Sequence, residues 1–184
     1  MVNPQQLMEA IRTRRTIWQF KNQLISSEMI AQIIEAGRLT PSGSNAQDVS
    51  YIVLKDDIDN YEKIAVRFFK MLLPMVKLVN PMAKSTIIDD HFFFKKAPVV
   101  IMILSKNKIN GAIAASNMAL MAESYGLGVL YSGFFTMAAN RARELRKSLQ
   151  LAHKDRVVTT LVFGYSNVTY HRTAQKDAAA IRYL

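Results

Sequence analysis

The stretch Arg12-Thr-Arg-Arg-Thr-Ile-Trp-Gln-Phe20 places three arginines at the end of an expected helix, after which Ile17–Phe20 turns extended. Arginine presents a planar fork of N–H donors that matches phosphate oxygens, and the Thr16 hydroxyl adds a short-range donor. The same arginines also suit the negative end of a helix dipole. One helix further on comes Pro41-Ser-Gly-Ser-Asn-Ala-Gln47, a run of turn-forming and hydrogen-bonding residues.

Composition limits the chemistry. The chain of 184 residues is long enough for one domain with a substantial core, and 50% of its residues are hydrophobic. It contains no cysteine. Disulfides, iron–sulfur clusters, thiolate zinc sites and cysteine nucleophiles are therefore excluded, and redox chemistry would need a borrowed cofactor. The net charge of +10 favours anionic partners: nucleic acid, acidic lipid, or phosphorylated cofactors and substrates. No signal-peptide pattern opens the chain and no apolar run approaches a membrane span, so a cytoplasmic location is expected.

Asn3-Pro4 predicts the start of a first helix, with Leu7, Met8 and Ile11 on its apolar side. Ser26 caps a second helix that ends near Leu39. Val49–Lys55 reads as a strand, and Asp56–Asp57 opens a third helix whose aromatics, among them Tyr61, Phe68 and Phe69, recur at core spacing. Met71–Ile88, with Pro74, Pro81 and three methionines, reads first as a packed surface insert, second as a covering element over a pocket, and otherwise as a membrane-grazing segment. Ala97–Leu104 is expected as a buried central strand, and Ile109–Tyr125 as a helix buried on more than one side. Its small residues, Ala112, Ala115, Ser116 and Ala119, suit close packing against another helix or a second subunit. Val129–Tyr131, a basic helix over Ala138–Leu149, and a last strand over Val157–Phe163 complete an α/β-type single domain spanning 1–184.

Competing constellations are poor. His91, His153 and His171 show no metal-ligand spacing with one another or with carboxylates. There is no Gly-x-Ser-x-Gly elbow, P-loop or Rossmann fingerprint. The alternative class is a nucleic-acid or acidic-partner binding module using Arg141, Arg143, Arg146, Lys147, Lys154 and Arg156, although no recognised nucleic-acid motif accompanies them.

Four segments stand in order: Arg14-Arg-Thr-Ile-Trp-Gln-Phe20; Pro41-Ser-Gly-Ser-Asn-Ala-Gln47; Gly126-Leu-Gly128 through Tyr131-Ser-Gly-Phe134; and Gly164-Tyr165 followed by Tyr170-His-Arg172. From Met8 to Thr173 this set resembles the FMN-dependent nitroreductase family. The resemblance implies an α+β fold with a central mixed β-sheet flanked by helices, and a homodimer with FMN at the subunit interface. It also implies ping-pong hydride transfer from NAD(P)H, through flavin N5, to a small-molecule electron acceptor such as a nitroaromatic or a quinone. Arg14, Arg15 and Thr16 would lie at the flavin phosphate and ribityl chain, with Arg172 closing on the phosphate. Pro41, Ser42, Gly43 and Asn45 would come from the other subunit. Leu130, Tyr131, Ser132 and Gly133 would run beside the ring, a backbone N–H near Ser132–Gly133 meeting N5. No side chain is nominated as catalytic, no metal is expected, and neither membrane nor nucleic acid is an expected partner. Two positions depart from the family pattern. Trp18 replaces a basic residue near the flavin pyrimidine, and Asp48-Val49 replaces Pro-Trp after Gln47.

Overall fold

The computed structural model describes residues 3–79, 85 and 87–184. Helix α1 (Pro4–Thr13) begins where Asn3 Oδ1 accepts the Gln5 N–H at 2.9 Å, and α2 (Ser27–Arg38) where Ser26 Oγ accepts from Met29 N–H at 3.2 Å. Strand β1 (Ser50–Leu54), helix α3 (Ile58–Val79) and strand β2 (Val99–Leu104) follow, then α4 (Lys108–Ser124) and β3 (Leu127–Tyr131). Two short helices, α5 (Gly133–Arg141) and α6 (Arg143–Ser148), precede β4 (Val157–Tyr165).

The four strands form one sheet in the order β1-β2-β4-β3, and every neighbouring pair is antiparallel. The α+β expectation holds, but among the described residues the expected mixed sheet reduces to one parallel contact, an isolated bridge between Thr16 and Val129. β2 lies inside the sheet and is buried along its whole length, which explains its unbroken apolar run. Alternation assigns its residues to two cores. Val100 and Met102 face a core with residues of α3, α5 and α6, whereas Val99, Ile101 and Ile103 face α2 and α4. Each fully buried side chain such as Ile101 contributes about 1.5–3 kcal/mol relative to exposure.

Two sequence expectations change. The basic helix expected over Ala138–Leu149 is two helices that start earlier, broken where Ala142 adopts extended backbone. The third helix continues through Pro74, beyond the break the prolines suggested. The remainder of the Met71–Ile88 segment lies largely outside the described residues.

The stretch after α1 docks through two glycines. Gly128 on β3 pairs with Gly164 on β4, and Ile17 and Phe20 lie over this pair. A Cβ at Gly128 would sit 2.4 Å from Ile17 Cγ1, and one at Gly164 would sit 2.6 Å from Phe20 Cδ1. The segment is then held by Ile17 N–H donating to Val129 O at 3.1 Å and Lys21 N–H donating to Tyr165 O at 2.8 Å. Gly128→Ala is expected to cost about 1–3 kcal/mol by overpacking, read as a fall in denaturant midpoint at unchanged slope. Ile17→Ala should then cost less in the Gly128→Ala background than in wild type; strictly additive losses would contradict the contact.

Candidate functional site

Ile17 and Phe20 point into the core, so the residues between and before them are turned outward. Arg14 is the residue that ends α1, its N–H donating to Ala10 O. Arg14, Arg15 and Thr16 line a cleft of about 540 Å³ together with Met8, Ile11, Tyr170 and Lys176. The Arg15 guanidinium lies 5.3 Å from the Tyr170 ring centroid, and its Nη2 donates to the Arg172 carbonyl. The first motif and the chain's last motif are thereby brought together. The contact made by Arg172 here is through its backbone, and its side chain is exposed. Arg14 Nη1 and Arg15 Nε are buried without a hydrogen-bond partner among the described residues. Orphaned guanidinium donors are costly unless an acceptor arrives. Arg14 also acts on two acidic groups: burial pushes the Glu123 carboxyl and the Tyr131 phenol up, and the Arg14 charge draws both back.

Trp18 projects on the outer side of the docked stretch and is 54% exposed. It lines a slot of about 70 Å³ with Leu130, Tyr131, Ser132, Gly133, Phe134 and the Phe92–Phe93 pair. The structure thus sets Trp18 beside the whole expected Leu130–Gly133 wall, while Phe20, its alternative packing partner, is committed to Gly164. At the base of the slot β3 passes directly into α5. Ser132 N–H is taken by Thr160 O at 2.9 Å, and Thr136 Oγ1 donates to Ser132 O at 3.0 Å. The free donors are therefore the first amides of α5, at Gly133 and Phe134, which have no preceding helical carbonyl. The N–H expected near Ser132–Gly133 narrows to Gly133.

The far wall depends on a residue whose role the sequence did not reveal. Glu62 of α3 is buried, and its Oε1 accepts the N–H groups of Phe93 at 2.8 Å and Phe94 at 2.7 Å. It holds the turn in which Lys95 and Lys96 take left-handed backbone conformations. Asp59, Glu62 and His91 have ligand atoms within 4.8 Å of one another, a grouping across 32 positions of sequence that spacing alone did not show. Half of the Glu62 carboxylate is already committed to the two backbone N–H groups.

The Pro41–Gln47 turn lies elsewhere. Gly43–Asn45 form a single 3-10 turn, and Gly43 N–H donates to Asn110 Oδ1 at 3.2 Å, near the start of α4. Arg14 acts at Glu123, near the end of the same helix. At roughly 1.5 Å per residue these two places are about 20 Å apart along α4. Pro41, Ser42, Gly43 and Asn45 are thus not brought to Arg14 within one chain.

The basic residues of the alternative reading are partly committed. Arg146 caps the carbonyls of Ala152 and Asp155, and Arg156 donates to His153 O and Asp155 O. Among the described residues, no helix is long and apolar enough to cross a membrane.

Because burial is the dominant influence, the Glu62 carboxyl is pushed above its ordinary value of 4.5, against the pull of the two backbone donors. Its contribution to stability is fully present below pH 4.5 and is lost as pH rises through the raised folded value. Glu62→Gln keeps an acceptor for Phe93 and Phe94 but does not titrate. The stability difference between variant and wild type should therefore move in favour of Glu62→Gln as pH rises above 4.5; a flat or opposite trend in urea titrations would contradict this.

The chain is similar to known proteins in sequence and in fold. The model of the nitroreductase family matches residues 11–165. A Methanothermobacter thermautotrophicus protein, provisionally named NADH dehydrogenase/NAD(P)H nitroreductase, is 24% identical over 89% of this chain and 79% of its own length. The crystal structure of a Desulfitobacterium hafniense nitroreductase with bound FMN matches at a TM-score of 0.79 and 22% identity, covering 100% of both chains. A Bacteroides fragilis nitroreductase with bound FMN matches at 0.77 and 19%, covering 99% of this chain and 100% of the other. With its docked arginine stretch, paired glycines and β3–α5 turn all inside the matched region, the chain belongs to the nitroreductase family.

Proposed function

We propose that this chain is an FMN-dependent oxidoreductase that takes hydride from NAD(P)H and passes it to a small nitroaromatic, quinone or related acceptor. Its active form is a homodimer whose subunits share each flavin. The observation that carries this reading is that Arg14 and Arg15 both line the 540 Å³ cleft while each keeps a guanidinium nitrogen, Arg14 Nη1 and Arg15 Nε, without a hydrogen-bond partner among the described residues. A phosphate with two negative charges supplies the acceptors that these groups lack. Arg14, Arg15 and Thr16 hold the phosphate and ribityl chain, and Arg172, anchored at the rim by Arg15, closes over them. From there Thr16–Trp18 leads to the slot, where Leu130, Tyr131 and Ser132 form a wall beside the ring and Gly133 offers its amide N–H to the ring edge.

Bound FMN supplies the atom that accepts and releases hydride, so the protein needs no side-chain acid or base at that step. The chain's own contribution is position and exclusion of water. Trp18, Phe92 and Phe134 offer aromatic faces to whichever planar partner occupies the slot.

Two features support the dimer. The separation along α4 leaves Pro41, Ser42, Gly43 and Asn45 free to reach the flavin of the partner subunit. An unpartnered apolar surface is also available: Leu7, Met8 and Ile11 on α1, and Ile109, Ala112 and Ile113 on α4, are all exposed.

The purified protein is expected to be yellow, dimeric by sedimentation, and reducible by NAD(P)H. Arg14→Ala should weaken FMN binding roughly tenfold or more through loss of a charge-assisted contact. Unchanged flavin titration in Arg14→Ala would remove Arg14 from the phosphate.

Trp18→Arg should raise the FMN midpoint potential. A cation about 4 Å from the reduced ring is worth about 4 kcal/mol at an effective dielectric near 20. That corresponds to roughly 90 mV for two electrons, which solvent access reduces to a few tens of millivolts. An unshifted potential in a folded, flavin-loaded variant would place Trp18 away from the ring.

A further inference from the structure

We propose that Asp48 is a positioning residue that acts through Asn110 to fix the Gly43 amide, and with it the Ser42–Asn45 turn presented to the partner subunit's flavin; this rests on the function proposed above. Asp48 Oδ2 accepts from Ser105 Oγ at 2.7 Å, Asn107 N–H at 3.0 Å and Lys106 N–H at 3.1 Å. Its other oxygen, Oδ1, accepts from Asn110 Nδ2 at 2.6 Å. Asn110, only 4% exposed, in turn accepts from Gly43 N–H through Oδ1. The direction of this relay is forced. A peptide N–H can only donate and a carboxylate can only accept, so a single orientation of the Asn110 amide satisfies both neighbours.

The relay runs from a rigid reference to a turn that needs one. Ser105–Asn107 continue directly from β2, which is buried along its length. The turn makes mainly internal bonds: Asn45 N–H to Ser42 O, Ala46 N–H to Gly43 O, Gln47 N–H to Ser42 Oγ, and Gln47 Nε2 to Asn45 Oδ1. Ser44, Asn45 and Gln47 all adopt positive φ of 46–53°, which residues with a Cβ disfavour. Among the described residues, Gly43 to Asn110 is the only hydrogen bond joining 41–47 to another element. The carboxylate at 48, where the resembling family has proline, thus supplies an anchor that a proline ring could not.

A reciprocal exchange tests this. In Asp48→Asn, the new amide must keep its oxygen toward Ser105, Lys106 and Asn107, so its NH2 faces the Asn110 NH2. If Asn110 turns over to relieve this, its NH2 meets the Gly43 N–H instead. In Asn110→Asp, two carboxylates confront each other. The double variant Asp48→Asn/Asn110→Asp restores every donor–acceptor pair with the charge moved one residue along. The measurements are FMN titration and, in the flavin-free protein, hydrogen exchange at the Gly43 amide. Each single variant should exchange Gly43 faster and bind FMN about tenfold more weakly. The double variant should return both close to wild type.

Unchanged Gly43 exchange in both single variants overturns the relay itself. Exchange that responds and recovers while FMN affinity stays constant in all four proteins overturns the role at the flavin, and with it the assignment of this turn to the flavin. If a single variant does not fold, the double decides: wild-type FMN affinity supports the relay, and a defect like that of the singles overturns it.

Discussion

Two missing Cβ atoms set the geometry on which the site depends. Gly128 and Gly164 face each other across β3 and β4, and only there can Ile17 and Phe20 lie flat against the sheet. With these two side chains buried, Trp18 between them is left exposed and lines the slot beside Leu130–Phe134. The Ile17–Val129 hydrogen bond fixes the register of the stretch, and Arg14–Thr16 follow at the cleft. A contact made for packing therefore aims the cationic groups.

The same economy is visible at the β3–α5 junction. β3 ends at Tyr131 and α5 begins at Gly133, so the strand end and the orphaned amides of a helix start coincide. Thr136 and Thr160 hold Ser132 from two sides, making this turn rigid without a conventional side-chain cap. On the other side of the slot, Glu62 plays the corresponding part for Phe92–Phe94, placing a buried carboxylate where it satisfies two backbone donors at once. Rigid walls of this kind are what a site needs when its contribution is placement rather than acid–base chemistry.

Much of this was readable in advance because it repeats at short range. The caps at Asn3 and Ser26, the apolar run of β2 and the two-sided burial of α4 are local patterns, and they predict their elements closely. Where local signals conflict, tertiary packing decides. The break at Ala142 carries no proline or glycine; it lies where α5 gives way to α6, with Ala142 and Leu145 both buried against the core. Pro74 sits inside α3, so its presence did not end the helix. Among the described residues every neighbouring strand pair runs in opposite directions, and the Thr16–Val129 bridge is the one parallel contact.

The sequence by itself determined most of the elements, the absence of thiol chemistry, the excess of cationic charge, and the motifs that mark the family, since each depends on residue type at short spacing. It could not show that Ile17 belongs over Gly128, that Arg15 reaches the carbonyl of Arg172, or that Asp48, Asn110 and Gly43 form one relay. Those pairings join residues far apart in the chain, and a long-range contact leaves no periodicity for a local pattern to reveal. They arise only when two core faces are filled on opposite sides of one sheet, because close packing permits a single placement of each loop over the strands beneath it.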